Sequence, residues 1–448
     1  MGRYQKNATT HLSRTYKKLD YGSEIFYTAN KSALKRLDKI QTTCLKIICG
    51  APQSATSDIL LNECGELPLK LRRKIILLKH LAKIEQDPRN IANEVLESDW
   101  QSEYGRYTKN NCPVSKITRE EHKIISQKSE FPPWASIEVN VDIKLAQLVN
   151  KQADSPERTK QCTLEHMQKY LDSVHIFTDG SKLSDSSTGC ALYIRNSNQF
   201  KSYKLPNHCS IYTAENYAIL KTLEWINNFA NSKGPFTIFS VSLNALQSLE
   251  KINLHHQNEL LQNILKELIK INANGILLTL VWIPSHINIT GNEKADRLAK
   301  EAARGNQNEV NLPKTLPDIY VQILENALKE WQDIYTANNK GCFYKTIEPA
   351  VSLKIKYQNN NRRKEQFLTK FRFGLTLLND RKFKYGIKDN NLCENCHSKP
   401  ETIQHVLFDC QSYPIFHKNK NIKELLTNMS NLDTIYEYFL LNNRIGNI

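Results

Sequence analysis

The 448-residue sequence contains no apolar run of the roughly 18–20 residues that a helix needs to span a bilayer. Its first residues, MGRYQKNATT, contain no apolar core of signal-peptide length, and Lys6 stands where a myristoylation signal requires Ser or Thr. No internal repeat is visible. We therefore expect no membrane partner and no secretion, and we expect an intracellular location, either nuclear or cytoplasmic.

Charge and cysteine content narrow the class of protein further. Lys and Arg number 61 and Asp and Glu 46, which gives a formal net charge of +15. A basic excess of this size favours nucleic acid as a partner over a small-molecule substrate, and a solvated basic surface without a ligand is the alternative. The eleven cysteines are an odd number in a chain expected to stay inside the cell, which predicts mostly free thiols.

Four stretches of the chain differ in pattern. Residues 1–95 are predicted to be helical, because apolar residues recur at three- and four-residue steps between basic ones. Residues 96–172 are polar, contain Pro132 and Pro133, and are predicted to be a linker that ends in a short helix. Residues 306–448 are rich in Lys and Asn and are also predicted to be helical.

Residues 173–305 show alternating strand and helix patterns in the order βββαβααβα. Within them ILLTLVWIP is a nearly continuous apolar run, which is typical of a buried strand. The last helix pattern places Ala295, Leu298, Ala299 and Ala302 on one face. The order predicts an α/β fold in which helices pack against a mixed sheet.

Three acidic residues stand where this order can bring them together. Asp179 ends the first strand, Glu215 lies in the first turn of the next helix, and Asp296 lies in the first turn of the last helix. Magnesium suits such a set, because it takes octahedral oxygen ligands. Two such ions, roughly 3.5–4 Å apart, can activate a water molecule and stabilise the leaving oxygen of a phosphodiester. Taken singly, each acid is more often a surface or helix-capping residue.

The sequence around these acids resembles ribonuclease H type 1, in particular the copy found in non-LTR (LINE-like) retrotransposon polyproteins. The matching motifs are TDGS at 178–181, TAE at 213–215, FSVSLNAL at 239–246 and WIPSHINITGNEKADRLAKEA at 282–302. The resemblance implies a ribonuclease H-like mixed five-stranded sheet and Mg²⁺-dependent cleavage of the RNA strand in RNA–DNA hybrids, which leaves a 3′-hydroxyl.

The resemblance also carries over to individual residues. It implies that Asp179, Glu215 and Asp296 are three of four acids that hold two magnesium ions, with Asp179 bridging both ions. It further implies that His286 assists proton transfer or product release.

Val241 departs from the family pattern. The family has an aspartate between the two serines that end the fourth strand, and here Val241 lies between Ser240 and Ser242. A valine cannot bind a metal ion, so occupancy by both ions is in doubt, and the loss of their positioning costs on the order of several kcal/mol of barrier. We therefore predict a fold that binds nucleic acid but cleaves it poorly or not at all.

Four residues near the C-terminus have the spacing C-x2-C-x8-H-x4-C, namely Cys393, Cys396, His405 and Cys410. Three thiolates and one imidazole suit a structural tetrahedral zinc ion, and chance clustering of free cysteines is the alternative. His397 follows Cys396 too closely to be preferred. The segments RFGLTLLNDRKFKYG and ETIQHVLFDC resemble the CCHC knuckle of the same retrotransposon class, which implies a zinc knuckle at 393–410.

Aromatic residues alternate with Lys and Arg in the same region. They are Phe367, Phe371, Phe373, Phe383 and Tyr385. Basic side chains can follow phosphates while aromatic rings stack on unpaired bases. The same spacing also suits a small helical core, so both interpretations stand at this point.

The N-terminal stretch from Leu19 to Leu81 resembles the thumb-like region that follows the catalytic part of a LINE-type reverse transcriptase. No Tyr-x-Asp-Asp motif occurs, so no reverse transcriptase activity is expected. The chain is interpreted as part of a longer polyprotein or as a host protein derived from one. Three alternatives to an impaired ribonuclease H stay open: an intact hydrolase that tolerates Val241 or recruits another acid, a non-catalytic nucleic-acid-binding or scaffold protein, and a decayed element.

Overall fold

The computed structural model describes residues 18–23, 29–86, 90–92, 139–149, 154–228, 234–251, 258–306, 308–356, 361–412, 421–427 and 429–441. The chain divides into two compact units, one of residues 79–323 and one that joins residues 1–78 to residues 324–448. Most of the predicted linker, including Pro132 and Pro133, falls outside the described residues. Within the described residues, no helix combines the length and the apolar character needed to cross a bilayer.

The secondary structure comprises six strands and fifteen α-helices among the described residues. The strands are β1 (Val141–Asp142), β2 (Val174–Lys182), β3 (Thr188–Ile194), β4 (Gln199–Leu205), β5 (Phe236–Ser240) and β6 (Leu278–Trp282). The helices are α1 (Lys31–Cys49), α2 (Ser57–Cys64), α3 (Leu69–Gln86), α4 (Leu145–Leu148), α5 (Pro156–Met167), α6 (Ile211–Asn228), α7 (Leu243–Glu250), α8 (Glu259–Ala273), α9 (Thr290–Arg304), α10 (Leu316–Ala337), α11 (Cys342–Ile347), α12 (Arg362–Phe373), α13 (Asn379–Lys384), α14 (Ile422–Thr427) and α15 (Met429–Leu441).

The unit of residues 79–323 contains a six-stranded mixed sheet in the order β1-β6-β5-β2-β3-β4. β2, β3 and β4 form an antiparallel meander, whereas β5 runs parallel to β2, β6 parallel to β5, and β1 parallel to β6. The predicted order βββαβααβα is confirmed between β2 and α9. The mixed sheet with flanking helices is therefore the fold that the sequence predicted.

The five strands predicted within residues 173–305 are present as β2 to β6, and β1, which was not predicted, adds a sixth strand at the edge of the sheet. β1 comes from the segment predicted to be a linker and pairs Val141 with Leu280 and Asp142 with Val281. Two residues are too few to show the alternation that reveals a strand in a sequence. The short helix predicted at the end of the same segment is present as α5.

Two apolar layers hold the helices against the sheet. On one face Ile176 of β2 packs in the layer that receives α6 and α8, and on the other Phe177 packs in the layer that receives α9. Both side chains are fully buried. Burial of one such side chain contributes about 1.5–3 kcal/mol, so each layer strongly restricts where its helices can lie. The end of β2 therefore meets helices from both faces.

The other unit packs N-terminal helices together with C-terminal helices. Phe367 and Phe371 of α12 lie in its apolar core, which settles their role as packing residues. Arg372 donates to the Glu63 carboxylate at 2.8 and 2.9 Å, and the Tyr344 hydroxyl donates to the same carboxylate at 2.8 Å. These partners are buried and lie about 300 residues apart in sequence. The division of the chain into four stretches stays a prediction. It did not predict that residues of the first and last stretches form these contacts.

Gly291, near the start of α9, tests how closely that helix must approach the sheet. A Cβ there would lie 2.3 Å from the Phe177 ring, whereas a Cβ at Gly234 would have no heavy atom within 4 Å. We expect Gly291→Ala to destabilise the protein by about 1–3 kcal/mol, because a buried aromatic ring must shift. Chemical denaturation of the full chain measures this, with Gly234→Ala as the control. Equal stability of the two variants would contradict the close packing of α9 on β2.

Candidate metal and nucleic-acid site

The predicted acidic site lies where β5 ends beside β2, which itself continues to Lys182. Thr178 of β2 pairs with Ser240 of β5, so the following residues, Asp179 and Val241, lie next to each other in the register. Gly180 allows α6 to approach, because a Cβ there would lie 2.7 Å from the backbone nitrogen of Glu215. A side chain at this position would push Glu215 away from Asp179.

The structure brings together the three acids that the sequence predicted. The Asp179 carboxyl interacts directly with the carboxyls of both Glu215 and Asp296. Burial, and then the negative charge of Asp296, raise the pKa of Asp179 to about 7. Burial, and then the charge of Asp179, raise the pKa of Glu215 well above its usual value. Their functional roles stay predictions, but the side chains meet.

Three further side chains, those of Lys300, Glu293 and His286, lie close to Asp296. Lys300, one turn later in α9, lies 2.6 Å from Asp296 Oδ2. His286, Glu293 and Asp296 each offer one ligand atom, and these atoms all lie within 4.8 Å of one another. His286 is exposed and adopts the left-handed conformation with φ of 59°. Glu293 and Lys300 were not among the predicted site residues, although both lie on the same helical face as Asp296.

Val241 is accommodated without disturbing this edge. Its side chain packs against the apolar layer that contains Phe177. Its carbonyl accepts a hydrogen bond from Trp282 Nε1 at 3.1 Å, and Ser242 begins α7 by accepting from the Ala245 amide at 3.4 Å. The chain therefore keeps a regular strand end at this position, with an apolar side chain in place of a charged one.

The residues present fit a hard divalent cation. Glu215 is 4% exposed, and its Oε2 atom has no hydrogen-bond partner within the described part of the chain. A buried carboxylate oxygen without a partner is costly unless a proton or a cation neutralises it. Asp179, Glu215 and Asp296 would supply the oxygen ligands that Mg²⁺ requires.

Comparison with known families agrees with this geometry. Residues 172–304 match the family model described as RNase H. This match supports a ribonuclease H-type domain at those residues. The domain spans β2 to α9 and contains all the acids described above. Ribonuclease H proteins typically use Mg²⁺ and bind nucleic acid, which agrees with the oxygen-rich edge. No curated protein matches the chain.

The cysteine and histidine residues predicted to bind zinc come together in the other unit. The ligand atoms of Cys393, Cys396, His405 and Cys410 all lie within 4.8 Å of one another. The Sγ atoms of Cys393 and Cys410 are 3.8 Å apart, and Cys396 Sγ lies 3.3 Å from His405 Nε2. His397 is exposed and is not one of the residues in this group.

These distances fit a tetrahedral zinc site. A Zn–S bond of about 2.3 Å gives a sulfur–sulfur edge of about 3.8 Å in a tetrahedron, which is the separation of Cys393 and Cys410. Several interactions, of which the hydrogen bond from the Ser398 side chain is the largest, lower the pKa of Cys396 to about 5. This thiol is therefore ionised at neutral pH. Burial raises the pKa of Cys393 to about 11. The group could therefore hold zinc once the metal displaces the remaining protons.

Removal of zinc tests this group. We expect the full chain to release one zinc ion when its thiols are modified. A strong chelator should lower the melting temperature by about 5 °C or more, because the zinc ligands connect separate segments of the apolar core around them. Cys393→Ser should show the same loss without chelator. Cys342→Ser is the matched control, since Cys342 is an exposed free thiol outside the group. Equal zinc content in the two variants would rule out Cys393 as a ligand.

Proposed function

We propose that this protein binds RNA–DNA hybrid through its ribonuclease H-type domain and cleaves the RNA strand slowly. The observation that carries the proposal is the meeting of Asp179, Glu215 and Asp296 beside Val241. Three acids supply ligands for cation binding, whereas the missing fourth weakens the positioning of a second ion. Magnesium, when bound, supplies charge to activate water and to stabilise the leaving oxygen.

The residues of the chain contribute to this reaction in different ways. Asp179 extends from the central strand β2, contacts both other acids and would hold a cation together with them. Glu215 is buried and oriented by the close approach of α6. Asp296 is paired with Lys300 through Oδ2. The exposed His286 reaches this edge from the loop before α9 and is available to transfer a proton.

The proposal extends to the origin of the chain. The helical N-terminal stretch, the ribonuclease H-type domain and the Cys₃His group follow one another in the order that the resemblance to LINE-like polyproteins implies. We propose that the chain derives from such a polyprotein, with a reverse-transcriptase thumb-like remnant before the domain and a zinc knuckle after it. An intracellular location, nuclear or cytoplasmic, is part of this proposal.

Restoring the fourth acid tests the proposed impairment. We expect Val241→Asp to cleave an RNA–DNA hybrid in Mg²⁺ at least about 100-fold faster than the unmodified chain, because a second ion gains a ligand. The measurement is single-turnover cleavage of a labelled hybrid by the full chain. Val241→Asn keeps the size of the new side chain without its charge and should gain little.

Two results decide the outcome. Adding Asp179→Asn to Val241→Asp should abolish the gain, which excludes a contaminating nuclease. If the unmodified chain cleaves as fast as Val241→Asp, the impairment is refuted and the intact-hydrolase alternative holds. Hybrid binding measured in Ca²⁺ by all variants separates loss of binding from loss of chemistry.

A second candidate function is binding of unpaired nucleic acid by the region before the Cys₃His group. Phe383 and Tyr385 are 47% and 55% exposed, unlike the buried phenylalanines of α12. Lys382, Lys384 and Arg381 accompany them on and beside α13. Exposed rings among basic side chains are suited to stacking on bases while the charges contact phosphates.

The two candidate functions are separable by mutation. We expect the double variant Phe383→Ala, Tyr385→Ala to bind single-stranded RNA about tenfold or more weakly, because stacking contributes about 1–3 kcal/mol per base. Its hybrid cleavage should be unchanged. Phe200→Ala is the control, since Phe200 is 57% exposed but lies on β4 in the other unit. Fluorescence anisotropy at two salt concentrations measures the effect, and equal affinities for both variants would exclude stacking here.

A further inference from the structure

The segment of residues 308–318, which follows the part of the chain that matches the RNase H family, packs back onto the ribonuclease H-type domain. The Val310 amide donates to the Lys204 carbonyl at 3.0 Å, which holds the segment beside β4. Val310 and Leu312 pack against the apolar layer that receives α6. The family match ends at residue 304, so residues outside it contribute to the packing of this domain.

The segment ends at Asp318, a carboxylate that is 2% exposed. Its Oδ1 atom accepts hydrogen bonds from the Ser210 amide and the Thr213 hydroxyl, both at 2.6 Å. Its Oδ2 atom accepts from the amide and the hydroxyl of Thr315 at 2.9 and 2.7 Å. Ser210 and Thr213 are 2% and 1% exposed, so water is a poor substitute for Asp318 as the acceptor.

These bonds go beyond ordinary capping of α6. Ser210 already caps this helix, because its Oγ atom accepts from the Thr213 amide at 3.2 Å. Asp318 adds a second set of bonds to the same turn, from a position 108 residues after Ser210. A shift of the start of α6 would break these buried bonds, so the segment of residues 308–318 restrains where the helix begins.

The start of α6 matters because this helix carries Glu215. Thr213 lies in the first turn of α6, two residues before Glu215. Burial, and then the charge of Asp179, raise the pKa of the Glu215 carboxyl well above its usual value. The same repulsion pushes an ionised Glu215 away from Asp179, so the helix must be held firmly for both carboxylates to face one cation.

We infer that Asp318 is a positioning residue of the cation site, because it fixes the first turn of α6 and thereby the place of Glu215. The inference rests on the proposed function, in which Asp179, Glu215 and Asp296 hold a divalent cation. It deepens that function by making the site depend on the segment of residues 308–318. The functional domain thus extends past the end of the family match.

Titration of the full chain with Mn²⁺, followed by electron paramagnetic resonance, tests this inference. We expect Asp318→Asn to bind Mn²⁺ about tenfold more weakly, because in either orientation its amide nitrogen faces a backbone amide, that of Ser210 or that of Thr315. Asn258→Ala is the matched control, since it removes the buried cap of α8 in the same unit. It should lower the stability of the chain and leave the Mn²⁺ affinity unchanged.

Thr213 provides a second test that leaves Asp318 in place. Thr213→Val replaces the hydroxyl that donates to Asp318 with a methyl group of similar size, whereas Thr213→Ser keeps the hydroxyl. We expect Thr213→Val to bind Mn²⁺ severalfold more weakly and Thr213→Ser to bind it like the unmodified chain. Chemical denaturation of every variant, compared with Asn258→Ala, separates a loss of Mn²⁺ affinity from a general loss of stability.

Asp179→Asn separates this inference from the proposed function, because it removes a cation ligand directly and should abolish Mn²⁺ binding at this site. If it does so and Asp318→Asn binds Mn²⁺ as tightly as Asn258→Ala, the inference is overturned and the proposed cation site stands. Equally weak binding by Thr213→Ser and Thr213→Val also overturns the inference. If Asp179→Asn binds Mn²⁺ as tightly as the unmodified chain, the inference and the proposed function both fall.

Discussion

Burial of carboxyl groups, and then their mutual repulsion, dominates the electrostatics at this end of β2 in the ribonuclease H-type domain. Asp179 and Glu215 are 6% and 4% exposed and interact directly, which no apolar packing arrangement would favour by itself. The two apolar layers on either face of β2 nevertheless hold α6 and α9 where these acids must meet. The energy of the core therefore maintains an arrangement that is electrostatically unfavourable until a proton or a cation compensates it. A divalent cation held by these carboxylates would relieve this cost.

Val241 changes this balance locally and leaves the rest of the fold intact. A valine at the end of β5 extends the apolar layer around Phe177, so the strand needs no rearrangement to accept it. At this position the chain therefore has an apolar contact and no carboxylate that could hold a cation.

Much of this domain could be predicted from its sequence because its signals are local. The alternation of apolar residues in β2 to β4, the length of α6 and the face of α9 all depend on neighbours within a few residues. The three acids were predictable because the motifs around them are recognisable, although Asp179 lies within β2 and Glu215 and Asp296 lie in the second turns of their helices. β1 was missed because two residues have no period. Phe367 and Phe383 stand in similar basic surroundings, and only the packing of α12 shows that one is buried and the other exposed.

The sequence by itself determined the order of strands and helices in residues 173–305, the acids at Asp179, Glu215 and Asp296, and the spacing of the Cys₃His group. These features are written in residue types and short periods. Tertiary structure alone decided that the Asp179 carboxyl meets those of Glu215 and Asp296 and that Arg372 joins Glu63 from a distant part of the chain. The physical reason is that ion pairs and shared cation sites depend on distances in space. Side chains far apart in sequence reach those distances only when separate elements pack together.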